Sequence, residues 1–244
     1  MNISIVIPAY NEEKRIINSL KKVSHYCKNN FKKYEIIIVD DGSRDKTYQI
    51  ISKLKIDNLK ILKNKINKGK GYCVKRGILE SRYSLVLFTD SDLSIPIEQL
   101  NKFIRYIKQG YQIVIASKYM KGSSSNAKQP IHRLIMGKMF SLLVRLLLLK
   151  DFKDTQCGFK LFETKVAKKI VRLQTCERYT FDVELLLIAK RMKIKIKELP
   201  IFWIKDERGT KINIIKDPIE MLPNILRIKI NDLKGKYMSK TTPH

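Results

Sequence analysis

Two carboxylates stand one residue apart in SLVLFTDSDLSIP, residues 84–96, where an apolar run over 85–88 opens onto Asp90 and Asp92. Residues two apart in an extended segment point the same way, so both carboxylates can face one ligand. Paired carboxylate oxygens suit a hard divalent ion, Mg²⁺ or Mn²⁺, which in turn holds diphosphate oxygens. An Asx turn and a helix cap after a strand would use the same residues. Further acids punctuate the chain: PAYNEE, residues 8–13, brings Glu12, and DDGS, residues 40–43, brings Asp40 and Asp41 before a turn glycine. NKGKGYCVKRG, residues 67–77, sets Lys68, Lys70, Lys75 and Arg76 among glycines at a helix start. That is a setting for phosphate, or an exposed basic helix start, and it contains neither a Walker loop nor a GxGxxG fingerprint.

The elements that must position these residues are readable from periodicity. Apolar, β-branched runs at 3–7, 35–39, 59–62, 84–89 and 113–117 alternate with amphipathic stretches near 12–26, 46–53, 71–81 and 97–108. The alternation predicts an α/β fold, a mostly parallel sheet with crossover helices. Ligands of such sheets bind beyond the carboxyl ends of the strands. PAYNEE, DDGS and TDSD all fall there, and three acidic strand ends on one rim repel each other unless cations or donor groups compensate.

After a polar loop at 121–130 the character changes. Residues 131–150 read as a helix on which Arg133, Gly137, Lys138, Ser141 and Arg145 share one narrow arc and nearly everything else is apolar. Such a helix suits either a core or a membrane interface. A second helix is expected at 218–233, followed by Lys234, Lys236 and Lys240. No run approaches the roughly 18–20 uninterrupted apolar residues of a membrane span. The amino terminus reads directly into the first strand, so no signal peptide and a cytosolic location are expected. The 244 residues suffice for a core without disulfides, and Cys27, Cys73, Cys157 and Cys176 have no metal-site spacing and read as reduced thiols. A formal charge of +27 calls for a polyanion, for which nucleic acid, an anionic membrane and phosphorylated substrates qualify, unless it is only compositional bias towards Lys. With no recognisable nucleic-acid-binding motif and acids along the ligand rim, nucleic acid is not expected as a partner.

Taken in order, IVIPAYNEE, IIIVDDGSRDKT, NKGKGYCVKRG and FTDSDL resemble the family 2 glycosyltransferases of GT-A fold, over residues 1 to about 120. The resemblance implies a Rossmann-like mixed, mostly parallel sheet flanked by helices. It places Pro8, Tyr10, Glu12, Asp40, Asp41, Lys70 and Asp90 at a nucleotide pocket, with Asp90 and Asp92 as the metal-binding DxD. DTQCGFKLF at 154–162, ERYTFDVELLLIAKR at 177–191 and ELPIFWIKDERGTKI at 198–212 are similar to polyprenyl-phosphate sugar transferases, most of all to the dolichyl-phosphate β-glucosyltransferase branch. By that likeness Asp154, Asp182 and Glu184 belong to the active-site rim, and Asp92, Asp154, Asp182 and Lys211 are catalytic candidates. Lys118, Arg208 and Lys211 would meet acceptor phosphate. Ser94 stands where mannosyl relatives have Gln, and Lys118 where relatives often have Arg. The implied enzyme moves a hexose, glucose from UDP-glucose first, to a polyprenyl phosphate at an anionic membrane surface, as a peripheral protein. Another donor such as mannose or GlcNAc, a soluble acceptor, or a basic nucleic-acid-binding protein are the alternatives. The expected division is a catalytic domain at 1–212, with a nucleotide-sugar part at 1–120 and an acceptor part at 121–212, followed by an amphipathic helix and basic tail at 213–244.

Overall fold

The computed structural model describes residues 1–126, 131–204 and 216–238, excluding the side chains of 131–136, 138 and 216–220. The first half runs β1 (Asn2–Ala9), α1 (Ile16–Asn30), β2 (Lys33–Asp40), α2 (Thr47–Lys53), β3 (Leu59–Lys63), α3 (Lys70–Glu80), β4 (Leu85–Thr89), α4 (Leu100–Lys108) and β5 (Ile113–Ser117). The second half adds β6 (Ser124–Ser125), α5 (Ile131–Leu147), β7 (Phe159–Glu163), α6 (Thr164–Leu173), α7 (Phe181–Arg191), β8 (Ile196–Pro200), β9 (Phe202–Trp203) and α8 (Lys216–Leu233).

Seven strands form one sheet in the order β3-β2-β1-β4-β7-β5-β8, and β6 pairs with β9 in a small second sheet. All pairings in the large sheet are parallel except those of β7, which runs antiparallel to both β4 and β5. Alternating side chains of the central strands enter two cores. Val6, Ile37, Val39, Val86 and Phe88 meet α3, α6 and α7 on one face, whereas Ile3, Ile5, Ile7, Ile36, Ile38, Leu85 and Leu87 meet α1 and α4 on the other. Burial on both faces is why these strands read as continuous apolar runs.

The five expected strands and their crossover helices are present, and the sheet also recruits β7 and β8 from beyond residue 150. Antiparallel β7 pairs Phe159 with Thr89, so its first residues arrive at the rim where β4 ends. On α5, the expected small and polar arc is partly a packing face: a Cβ on Gly137 would lie 2.7 Å from the Tyr119 hydroxyl, and Ser141 Oγ donates to Lys153 O at 2.7 Å. Met139, Leu142, Leu146 and Leu147 of the same helix face outward. Among the described residues no helix is long and apolar enough to cross a membrane. All four cysteines are buried and free, and burial pushes each thiol above its ordinary value.

Candidate active site

The carboxyl ends of parallel β1, β2 and β4 surround a cavity of about 320 Å³. Pro8, Tyr10, Glu12, Asp41, Lys70, Asp90 and Asp92 all line it, bringing together four segments far apart in sequence. The acids on this rim are compensated locally, as electrostatics requires. Asp41 accepts from Asn64 Nδ2 at 2.7 Å, Lys68 N at 2.9 Å and Gly69 N at 2.7 Å. Glu12 pairs with Arg15 at 2.5 Å, and Asp90 with Lys70 at 2.6 Å. Burial works against the Lys70 ammonium, but Asp90, Asp182 and Asp92 outweigh it and hold its pKa above the ordinary lysine value.

The turn after β4 is unusual. Leu93 has a φ of 48°, a left-handed conformation that a branched side chain disfavours and that tends to persist where surrounding structure enforces it. Leu93 N donates to Asp90 O at 3.2 Å and Ser94 N to Asp92 Oδ1 at 2.9 Å, which closes the turn and ties the Asp92 carboxylate to it. Asp90 N in turn donates to Gly158 O at 3.2 Å. A Cβ on Gly158 would lie 2.1 Å from Asp90 Oδ2, so the carboxylate rests directly on that glycine. The Asp90–Asp92 pair offers hard oxygen donors, and among the described residues no third His, Cys, Asp or Glu completes a protein cage. Two carboxylates without a cage match the way Mg²⁺ is held jointly by protein and substrate phosphates, so the donor set fits such an ion.

The remaining candidates lie outside the cavity lining. Asp40 is buried; it accepts from Ser43 N at 3.4 Å, and its other oxygen has no hydrogen-bond partner among the described residues. Asp154 is buried and accepts from Lys118 N at 2.9 Å and Gln156 N at 3.1 Å, which organises the chain after β5. The Lys118 ammonium stands 5.0 Å from the Trp203 ring centroid. Asp182 is buried against the fully buried Lys160, whose ammonium also donates to Cys157 O at 2.6 Å. Glu184 is buried and accepts from Thr175 and Cys176 N–H groups. Arg208 and Lys211 lie outside the described residues. Sequence reasoning missed Arg15, Asn67, Ser91, Arg178 and Tyr179, which also line the cavity. Arg15 follows Glu12 at a spacing of three, a pairing signal on a helix start; Arg178 and Tyr179 arrive from a distant loop without a local signal.

The chain that builds this mixed α/β sheet and paired-carboxylate turn falls in a known class of transferases. The family model for glycosyl transferase family 2 matches residues 4–171; the chain belongs to this family. Over 98% of its length it is 35% identical to a dolichyl-phosphate beta-glucosyltransferase of Dictyostelium discoideum, covering 77% of that protein. Proteins of the same name from Homo sapiens and Saccharomyces cerevisiae are 32% and 33% identical, over 98% and 96% of this chain and 78% and 76% of theirs. Two solved structures share the fold at low identity. Mannosyl-3-phosphoglycerate synthase from Rubrobacter xylanophilus has a TM-score of 0.68 at 14% identity, covering all of this chain and 77% of that one. Glucosyl-3-phosphoglycerate synthase from Mycobacterium tuberculosis, solved with Mn²⁺, UDP and phosphoglyceric acid, has a TM-score of 0.63 at 18% identity, covering 98% and 80%.

Proposed function

We propose that this protein transfers glucose from UDP-glucose to a polyprenyl phosphate, with inversion, giving a β-linked lipid-phosphate sugar and UDP. The observation that carries the reading is the convergence of Pro8, Tyr10, Glu12, Asp41, Lys70, Asp90 and Asp92 on one cavity at the sheet's carboxyl rim, together with the activity named for the relatives. An oxygen of the acceptor phosphate attacks the anomeric carbon as the bond from that carbon to the UDP oxygen breaks. The phosphate is already an anion at neutral pH, so no strong general base is required, and rate comes from position and charge. A divalent ion, Mg²⁺ or Mn²⁺, held by Asp90 and Asp92 would offset charge on the departing diphosphate. Lys118, Arg208 and Lys211 are assigned to the acceptor phosphate, and Asp154 and Asp182 to orienting those cations or the sugar.

The acceptor is a lipid, and the proposed meeting place is an anionic membrane surface. Leu222, Leu226, Ile230 and Leu233 recur every three or four residues along α8 and are exposed, as are Met139, Leu142 and Leu146 on α5, which contacts α8. Exposed apolar helix faces on a protein of charge +27 suit docking into lipid headgroups. Replacing Asp92 by Asn tests the metal assignment. Transfer should fall about a hundredfold or more with the melting temperature unchanged; full activity in D92N would overturn it.

A further inference from the structure

Among the described residues, three cationic side chains line the cavity: Arg15, Lys70 and Arg178. Arg15 is paired with Glu12 and Lys70 with Asp90. Among the described residues, the Arg178 guanidinium has no hydrogen-bond or ion-pair partner. Its stem nevertheless packs closely against the neighbouring helix start. A Cβ on Gly69 would lie 2.5 Å from Glu177 O and 2.8 Å from Arg178 Cγ, so the arginine's stem rests on the start of α3, one residue from Lys70.

The loop that carries Arg178 is tied down from three sides. Glu184 accepts from Thr175 N at 2.9 Å, Cys176 N at 2.7 Å, Thr175 Oγ1 at 2.6 Å and the Tyr237 hydroxyl at 2.6 Å. Gln174 Nε2 donates to Gly71 O at 3.0 Å, and Tyr72 N to Glu177 O at 3.0 Å. The backbone and stem that carry the guanidinium are thus held in place, which lowers part of the ordering cost of binding an anion. The guanidinium's planar fork matches phosphate oxygens bidentately, whereas a paired ammonium such as Lys70 must first divide its charge with a carboxylate.

We infer that Arg178 binds the diphosphate of the nucleotide sugar, an assignment that rests on the donor reading above and adds a residue from outside the motifs that define it. Uridine carries no charge at neutral pH, so the assignment separates the two halves of the ligand. UDP and uridine binding to the full chain in Mg²⁺ buffer, measured by calorimetry and by NMR titration, tests it on wild type, R178A and R178K. Because Arg178 is exposed, the variants should melt as wild type does. UDP affinity should fall about tenfold or more in R178A and by a smaller factor in R178K, while uridine affinity stays within twofold. Unchanged UDP affinity in R178A, or an equal loss for UDP and uridine, would overturn the assignment. A wild-type protein that binds neither would overturn the donor reading itself, and this inference with it.

Discussion

Lys160 lies opposite Phe88 in the antiparallel β4–β7 pairing and is fully buried. A buried ammonium is tolerated only with partners, and Asp182 and Cys157 O supply them. The Phe88 ring adds a shared electrostatic surface, its centroid 5.3 Å from Lys70 Nζ and 5.8 Å from Lys160 Nζ. Burial raises the Asp182 carboxyl from 3.8 to about 6 against the pull of Lys160 and Lys70. Asp182 thus holds its proton more tightly folded than unfolded. Its contribution to stability is greatest below pH 3.8 and declines as the pH rises towards 6. Replacing Lys160 by Met removes the stronger of the two pulls, so the Asp182 midpoint, followed by carboxyl ¹³C NMR, should move above 6, with about 3–5 kcal/mol lost at neutral pH. A midpoint at or below 6 would contradict this account of the pair. Asp41, Asp90 and Asp92 of the cavity were readable because they stand where apolar strands end, but the Lys160–Asp182 pair joins residues 22 apart. The available signal was a lysine inside the apolar run FKLF, which demands a buried partner without naming it.

At the scale of elements, strands buried on both faces announced themselves as apolar runs, and their crossover helices followed. β7 was not anticipated, because its five residues contain a lysine and a glutamate and nothing local marks its antiparallel direction. The two amphipathic helices were readable as helices, whereas their orientation was not. Gly137 and Ser141 turn inward because small side chains allow the backbone to approach Tyr119 and Lys153, leaving larger apolar side chains outside. α8 is apolar on opposite sides: Ile225 and Ile228 enter the core while Leu226 and Ile230 stay exposed. Introducing Glu at both Leu226 and Ile230 should reduce co-sedimentation with phosphatidylcholine–phosphatidylserine vesicles at least tenfold, since each loses the burial of a large apolar side chain and gains repulsion. UDP affinity should be unchanged. Vesicle binding equal to wild type would remove this face from the docking surface.

The molecule as a whole is strongly basic. The chain has 50 Lys and Arg against 23 Asp and Glu, yet four carboxylates, Glu12, Asp41, Asp90 and Asp92, gather in one cavity. Acids there suit cation-assisted binding of a diphosphate, and the basic excess elsewhere suits an anionic surface. The acids are written in contiguous motifs and the basic excess in composition, so both halves were readable; the exposed apolar faces depend on how α5 and α8 pack, which spacing alone does not determine. The central claim joins the two halves in one reaction. Its most direct test is the transfer of radiolabelled glucose from UDP-glucose to a short polyprenyl phosphate in detergent, with Mg²⁺ or Mn²⁺ and with chelator. The account predicts label in the organic phase that disappears with chelator. No lipid-linked label from a preparation that binds UDP-glucose and is supplied with metal and acceptor would contradict it.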